Sequence, residues 1–175
     1  MGCKAIAAEC GYFAYFQKAI AGFVEIPVFM SSLLQVPFIQ QTIGPNRDVG
    51  ILCYQRQFLT DSHLESVGIT PGSNYIIAGA SDDYKCTELD RLWNWEVRPE
   101  SPEAIYEVQE EQMVSACVDF CKKNPSIGSL MLECTGMQPF ARAIQRAIDM
   151  PVYSWGTILD HAFSVVAHRD YYGHV

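Results

Sequence analysis

Ala5-Ile6-Ala7-Ala8-Glu9-Cys10-Gly11-Tyr12-Phe13, running on through a helix-like segment to Glu25-Ile26-Pro27-Val28-Phe29-Met30-Ser31-Ser32, decides the fold because it occurs twice. A shift of 124 positions, the difference between 134 and 10, lays Cys10 on Cys134 without a gap. Glu9 then falls on Glu133, Phe16 on Phe140, Ala19 and Ile20 on Ala143 and Ile144, Glu25 on Asp149, Pro27 on Pro151 and Val28 on Val152. Each half-repeat carries one cysteine, 17 positions before its proline. A cysteine at the carboxyl end of a parallel strand, just before a helix, stands where open α/β sheets gather ligands and chemistry. Helix amides beside the sulfur are expected to favour thiolate. Two such units related by a pseudo-twofold bring two sulfurs to opposite sides of one cleft, a layout for moving a proton across a carbon.

Outward from these stretches, strand and helix patterns alternate. Lys4 to Glu9, Ile26 to Met30, Asp48 to Tyr54, Asn74 to Gly79, Ile127 to Glu133 and Val152 to Ser154 read as strands. Helical spacing covers Tyr12 to Phe23 (Phe13, Phe16, Ala19, Ile20, Phe23), Leu33 to Thr42 with Pro37 as an early kink, Phe58 to Val67 capped by Gly68, Pro139 to Ile148 and Leu159 to Ala167. The longest helix is expected from Pro102 to Lys123, with Ser101 as N-cap. Ser81 to Ser101 has no clean period and reads as an irregular, partly helical crossover. The fold class that follows is α/β, with parallel sheets flanked by helices in two pseudo-symmetric lobes and a cleft between them. The lobes are expected at 1–46 with 157–175, and at 47–156. Only three residues precede the first strand, so the first lobe is expected to lack an opening strand and helix. Its unpaired edge favours a homo-oligomer.

Composition narrows the function. The chain has 175 residues, 49% of them apolar and 18% charged, a globular balance. A net charge of −8 lacks the basic face that nucleic acid needs, so no nucleic-acid partner is expected. No apolar run reaches the roughly 18 residues of a membrane span. Met1-Gly2-Cys3-Lys4-Ala5-Ile6 begins like a myristoylation signal but has Ile6 where Ser or Thr belongs, and no cleavage-site pattern follows. Seven irregularly spaced cysteines fit reduced thiols in the cytoplasm.

Cys10-Gly11-Tyr12-Phe13 with Phe16-Gln17, the run Pro27 to Pro37, and Leu132-Glu133-Cys134-Thr135 followed by Pro151-Val152 together resemble the aspartate/glutamate racemase superfamily. That superfamily includes hydantoin racemases, maleate isomerase and arylmalonate decarboxylase. The resemblance implies cofactor-independent racemase or isomerase chemistry at the carbon α to a carboxylate or amide carbonyl, with Cys10 and Cys134 as the acid/base pair, and no metal. Its anion-binding positions carry over to Gly11, Tyr12, Ser31, Ser32, Thr135 and Gly136. The partner implied is a small carboxylate: an amino acid, a hydantoin or a related acid. Two departures stand out. Gly136 occupies the place of the His found in glutamate racemases, and Gly11-Tyr12 replaces the Asn-Thr of aspartate racemases.

The competing reading is a non-catalytic small-carboxylate-binding or truncated protein of the same fold, its cysteines merely closing strand ends. Alternation along the strand points Glu9 and Glu133 away from the sulfurs, to polarise the site indirectly or to cap and pair elsewhere. Cys117 and Cys121 read as core packing, and His161, His168 and His174 as a thin C-terminal cluster. Tyr12, Tyr15, Trp93 and Trp95 are aromatic candidates for pocket or core.

Overall fold

A computed structural model describes residues 2–170. Its main sheet is parallel throughout, in the order β4 (Tyr75–Gly79), β3 (Asp48–Cys53), β5 (Ile127–Leu132), β6 (Val152–Tyr153). Central strands of a parallel sheet are covered on both faces, so their sequences are near-continuous apolar runs. β3 and β5 show this: Val49 to Cys53 and Leu130 to Leu132 are all buried. Alternation divides the side chains between two cores. Leu52, Leu130 and Leu132 face Leu89, Met113, Phe120 and Ile144, contributed by α4 (Thr87–Trp93), α5 (Tyr106–Lys123) and α6 (Ala141–Ile148). Val49, Ile51, Cys53 and Met131 face Ala14, Leu33, Ile39 and Leu64, on the side of α2 (Val36–Thr42) and α3 (Asp61–Ser66). Parity along β5 therefore sends residue 133 to the second of these faces.

The repeat is realised in detail. β1 (Ile6–Ala7) pairs in parallel with β2 (Val28–Phe29) as Ile6 with Val28, and β5 with β6 as Leu130 with Val152, the same register 124 positions on. The entering hydrogen bonds match as well: Ile6 N–H donates to the Pro27 carbonyl and Leu130 N–H to that of Pro151, both at 2.9 Å. After each cysteine comes a six-residue 3-10 turn, Gly11–Phe16 or Thr135–Phe140, leading into α1 (Gln17–Phe23) or α6. β1 and β2 form a separate two-stranded sheet. It is held by the Gln17 carboxamide, which donates to the Val28 carbonyl (3.0 Å) and accepts from Met30 N–H (2.9 Å). The Trp155 indole, at the start of α7 (Trp155–Val166), donates to the Ala8 carbonyl at 3.0 Å.

Several element boundaries differ from the sequence reading. The 3-10 turns have three residues per turn and align i with i+3, so Gly11 and Ala14 face inward while Phe13, Phe16 and Phe23, read as the buried stripe, are exposed. Pro37 lies in the first turn of α2, where no hydrogen bond is lost, and is not a kink. α5 starts at Tyr106, four residues later than expected. The Glu88 carboxylate accepts from Ile105 N–H at 2.6 Å, and Arg91 donates to the Glu103 carbonyl, holding the preceding segment against α4. The crossover contains α4 as a full helix.

Candidate active site

Cys10 and Cys134 each end a strand segment in extended backbone and cap the following 3-10 turn, their carbonyls accepting from Phe13 N–H (3.0 Å) and Met137 N–H (3.1 Å). The two turns adjoin. Gly11, just after one cysteine, lies against the side chain of Glu133, just before the other, and a β-carbon built on Gly11 would fall on the Glu133 carboxyl group. Both thiols are half-buried, and each is near enough to Glu133 to feel its charge. Gly11 has no left-handed backbone here; it is required by close approach, not by the turn.

Electrostatics runs against the expected thiolate. Burial pushes the Cys10 thiol up, with a further push from Glu133, and the amides of Tyr12 and Phe13 only partly offset this. Cys134 is pushed higher, by burial first, then Glu133, with one amide, that of Gly136, in opposition and the Cys10 charge adding to the rise. Desolvation outweighs the helix-end amides because both sulfurs sit between packed turns. Glu133 is 2% exposed, its Oε1 has no hydrogen-bond partner, and burial carries its carboxyl up to about 8 against the pull of the Tyr54 amide. Among the described residues it forms no ion pair. It is the site residue whose position the sequence did not reveal. Its partner in the repeat, Glu9, is exposed.

The anion-binding candidates separate. Ser31 and Ser32 are buried and engaged: Ser31 Oγ accepts from Leu33 N–H at 3.1 Å, and Ser32 Oγ–H is shared by the carbonyls of Leu132 (3.3 Å) and Glu133 (3.2 Å). Ser32 thereby ties the second cysteine strand to the segment after β2, while the Ser31 bond is local. Tyr12 is locked too, its hydroxyl donating to the Gln55 carbonyl (2.8 Å) and accepting from Gln55 N–H (3.0 Å). Thr135 and Gly136 remain partly open beside Cys134. Gly136 has the Trp93 indole nitrogen over it, 3.1 Å from where a β-carbon would lie, and its carbonyl accepts from Gln109. Tyr54 lies close enough to Cys134 to feel its charge and donates to Asp90 at 2.9 Å.

The other candidates lie elsewhere. Trp95 is exposed under the Arg98 guanidinium, and Tyr15 packs on His63 and Phe16. His161 meets Phe29 edge-on in an apolar groove formed with Leu34, Phe38 and Tyr153. His168 is exposed, and His174 lies outside the described residues. Cys117 is fully buried in the core and Cys121 packs against it. Among the described residues no cluster of metal-binding side chains occurs, and no helix is long and apolar enough to cross a membrane.

Unliganded arylmalonate decarboxylase superposes with a TM-score of 0.54 at 14% identity, over 97% of this chain and 71% of that one. A cysteine-substituted form with sulfate gives 0.57 at 15% identity, over 99% and 73%. The fold is that of arylmalonate decarboxylase. That enzyme belongs to the aspartate/glutamate racemase-like superfamily, the one the cysteine motifs resemble. By sequence, the chain is 25% identical over 157 residues to the dimethylsulfoniopropionate lyase of Durusdinium sp. clade D, covering 87% of this chain and 49% of that protein. It is 26% identical over 156 residues to dimethylsulfoniopropionate lyase 7 of Emiliania huxleyi, covering 87% and 44%. The chain thus spans about half the length of these curated relatives. No family model matches it.

On the arylmalonate decarboxylase fold, then, this chain carries two cysteine thiols, Cys134 near enough to feel the Cys10 charge, a buried carboxyl packed on the first cysteine turn, and a partly open margin of Thr135, Gly136 and Trp93. These groups can take and hold protons. The amides at the two 3-10 turns can meet a carboxylate.

Proposed function

We propose that the chain is a cofactor-independent enzyme that removes a proton α to a carboxylate, with Cys10 as base and Cys134 as the opposing thiol, and that its substrate is a β-sulfonium carboxylate of the dimethylsulfoniopropionate type. The observation that carries this reading is the pairing of two cysteine turns, alike in register and in contact through Gly11 and Glu133. The lyase names of the sequence relatives support the substrate. In the elimination, the Cys10 thiolate takes the Cα proton, the C–H electron pair becomes the new C=C bond, and the C–S bond breaks with its pair on sulfur. Neutral dimethyl sulfide leaves and acrylate remains; no redox partner is needed. The substrate's own cation assists by favouring thiolate, the form that burial disfavours. Trp93, beside Gly136, offers an aromatic face to that cation. Amides of Thr135 and Gly136 would meet the carboxylate, whose charge grows as the proton departs.

Racemisation of an amino acid or hydantoin is the second reading, favoured by the pseudo-symmetry itself. There the proton taken on one face is returned from the other, and nothing leaves.

Headspace detection of dimethyl sulfide from dimethylsulfoniopropionate tests the first reading. Wild-type chain should release it and Cys10→Ser should not. Proton NMR in heavy water with amino acids and hydantoins tests the second. Release from Cys10→Ser at the wild-type rate overturns the assignment of the base.

A further inference from the structure

β5 parity and the packing of the first cysteine turn together create an unusual situation at Glu133. The carboxyl fills the notch left by the missing side chain of Gly11, the residue after Cys10, and both cysteine thiols are near enough to feel its charge. Its backbone is fixed at both ends: Glu133 N–H donates to the Leu52 carbonyl at 2.9 Å, and its own carbonyl accepts from Ser32. The side chain is only partly supported: the Tyr54 amide pulls on the carboxyl, while Oε1 is buried and unpartnered. A carboxylate held this way is costly, and a hydrocarbon side chain would fill the notch more cheaply. A neutral acid is the form the surroundings accept.

Resting on the reading that Cys10 and Cys134 are the acid/base pair, we propose that Glu133 is a positioning residue of this site that works in its protonated form: it keeps the packed contact at Gly11 polar but uncharged, so that a nearby thiol can ionise. The titratable groups facing it are Cys10 and Tyr12 from the first turn, Cys53 from β3, and Cys134 beside it on its own strand, with the Tyr54 amide as its backbone donor. Each of those thiols, and the Tyr12 phenol, is harder to ionise when Glu133 is charged. Asp82 and Asp83 add to that effect only at Cys53. Loss of the Glu133 proton therefore makes thiolate harder to form in the site. The step is a proton equilibrium with solvent, O–H against O⁻ plus H⁺, and needs no co-reactant.

The test is the alkylation rate of each cysteine by iodoacetamide as a function of pH, read by peptide mass spectrometry on the full chain without substrate. Exposed Cys3 is the internal standard. Glu133→Gln, a neutral isostere of the protonated acid, should match wild type below about pH 7 and alkylate Cys10 roughly three- to tenfold faster well above pH 8, the factor for a half to one unit of thiol pKa. Superimposable Cys10 and Cys134 profiles in the two proteins would overturn the proposal, since a purely structural carboxyl has no reason to change them with pH. If Glu133→Gln does not fold, the wild-type curve decides. The Cys10 rate, taken relative to Cys3, should flatten near pH 8, and a plain single-thiol titration refutes the idea. Neither arm uses a substrate, so failure to cleave a sulfonium carboxylate sinks the elimination reading alone, and a flat comparison sinks this one alone.

Discussion

Gly11→Ala probes the contact on which the site depends. The added β-carbon lands on the Glu133 carboxyl group, which is enclosed on all sides and cannot swing out to solvent. Either the 3-10 turn shifts, moving Cys10, or the carboxyl is forced into the second core. Overpacking of this kind costs about 1–3 kcal/mol. For a domain of this size 1 kcal/mol is worth roughly 2–4 °C, so the melting temperature should fall by roughly 3–10 °C. The cause is isolated by a cycle with Glu133→Ala, which empties the space the β-carbon needs. In that background Gly11→Ala should cost less than about 0.5 kcal/mol, giving a coupling of at least about 0.5 kcal/mol. Gly136→Ala serves as control: its β-carbon meets the far ends of Trp93 (3.1 Å) and Leu89 (3.2 Å), which can yield, and the Cys134 sulfur at an ordinary contact distance of 3.7 Å. Thermal unfolding by circular dichroism of the four cycle members and the control decides. Equal costs of Gly11→Ala in the presence and absence of the Glu133 side chain would refute the packing argument.

Stability should also depend on pH through Glu133. Its folded value of about 8 lies above the ordinary carboxylate range, so between the two the folded chain holds a proton that the unfolded chain has lost. The contribution is complete below that range and disappears as pH rises through 8, so wild type should lose stability relative to Glu133→Gln by up to about 1.4 kcal/mol per pH unit, measured by denaturant titration from pH 5 to 8. Cys10→Ser and Cys134→Ser should each lower kcat for dimethyl sulfide release by roughly a hundredfold or more, with melting temperatures within a few degrees of wild type; retained turnover in both rejects the two-thiol site. Phe120→Ala empties a fully buried position under β3 and β5 and should cost about 3–5 kcal/mol in chemical denaturation. Gln17→Ala removes the amide clamp on β2, and hydrogen exchange at Met30 should speed up while that at Leu130 does not.

The duplicated architecture was open to reading because it needs only a gap-free shift, and the same shift reproduces strand register, entering hydrogen bonds and 3-10 turns. Central strands were legible as apolar runs. Helix starts were not, since 3-10 turns with period three scramble the phase of a 3.6 stripe, which is why Phe13 and Phe16 were assigned inward and point outward. α5 was set four residues early because its cap is chosen by Glu88, a residue distant in sequence. The alternation that turns Glu133 away from Cys134 was itself visible. What packs on that face is tertiary information: the first cysteine turn comes back over it, so the carboxyl turned from one sulfur meets the neighbourhood of the other. Ser31 and Ser32 show another limit: their place in the sequence suggests ligand binding, but that their hydroxyls meet backbone groups is tertiary information.

The pseudo-symmetry is incomplete in a way that bears on the reaction. Cys10 is followed by Gly11-Tyr12-Phe13, two of whose amides ease its ionisation, while Cys134 has one such amide and its charge is opposed by both Glu133 and Cys10. Glu9, the repeat partner of Glu133, is exposed and plays no matching part. A racemase that works equally from both faces needs two thiols of similar acidity, each base in one direction and acid in the other. An elimination needs one base, used once per turnover, and an opposing group that stays protonated. The unmatched pair therefore argues for the lyase reading, with Cys10 as the base. The discriminating experiment, in heavy water, compares achiral dimethylsulfoniopropionate, which has a β-leaving group, with enantiopure amino acids and hydantoins, which have none. Dimethyl sulfide release with no return of deuterium to the α-carbon fits one-way elimination through Cys10. Equal rates of inversion from the two enantiomers of an amino acid or hydantoin would show that the asymmetry of the two thiols does not govern the chemistry, and the racemase reading would replace it.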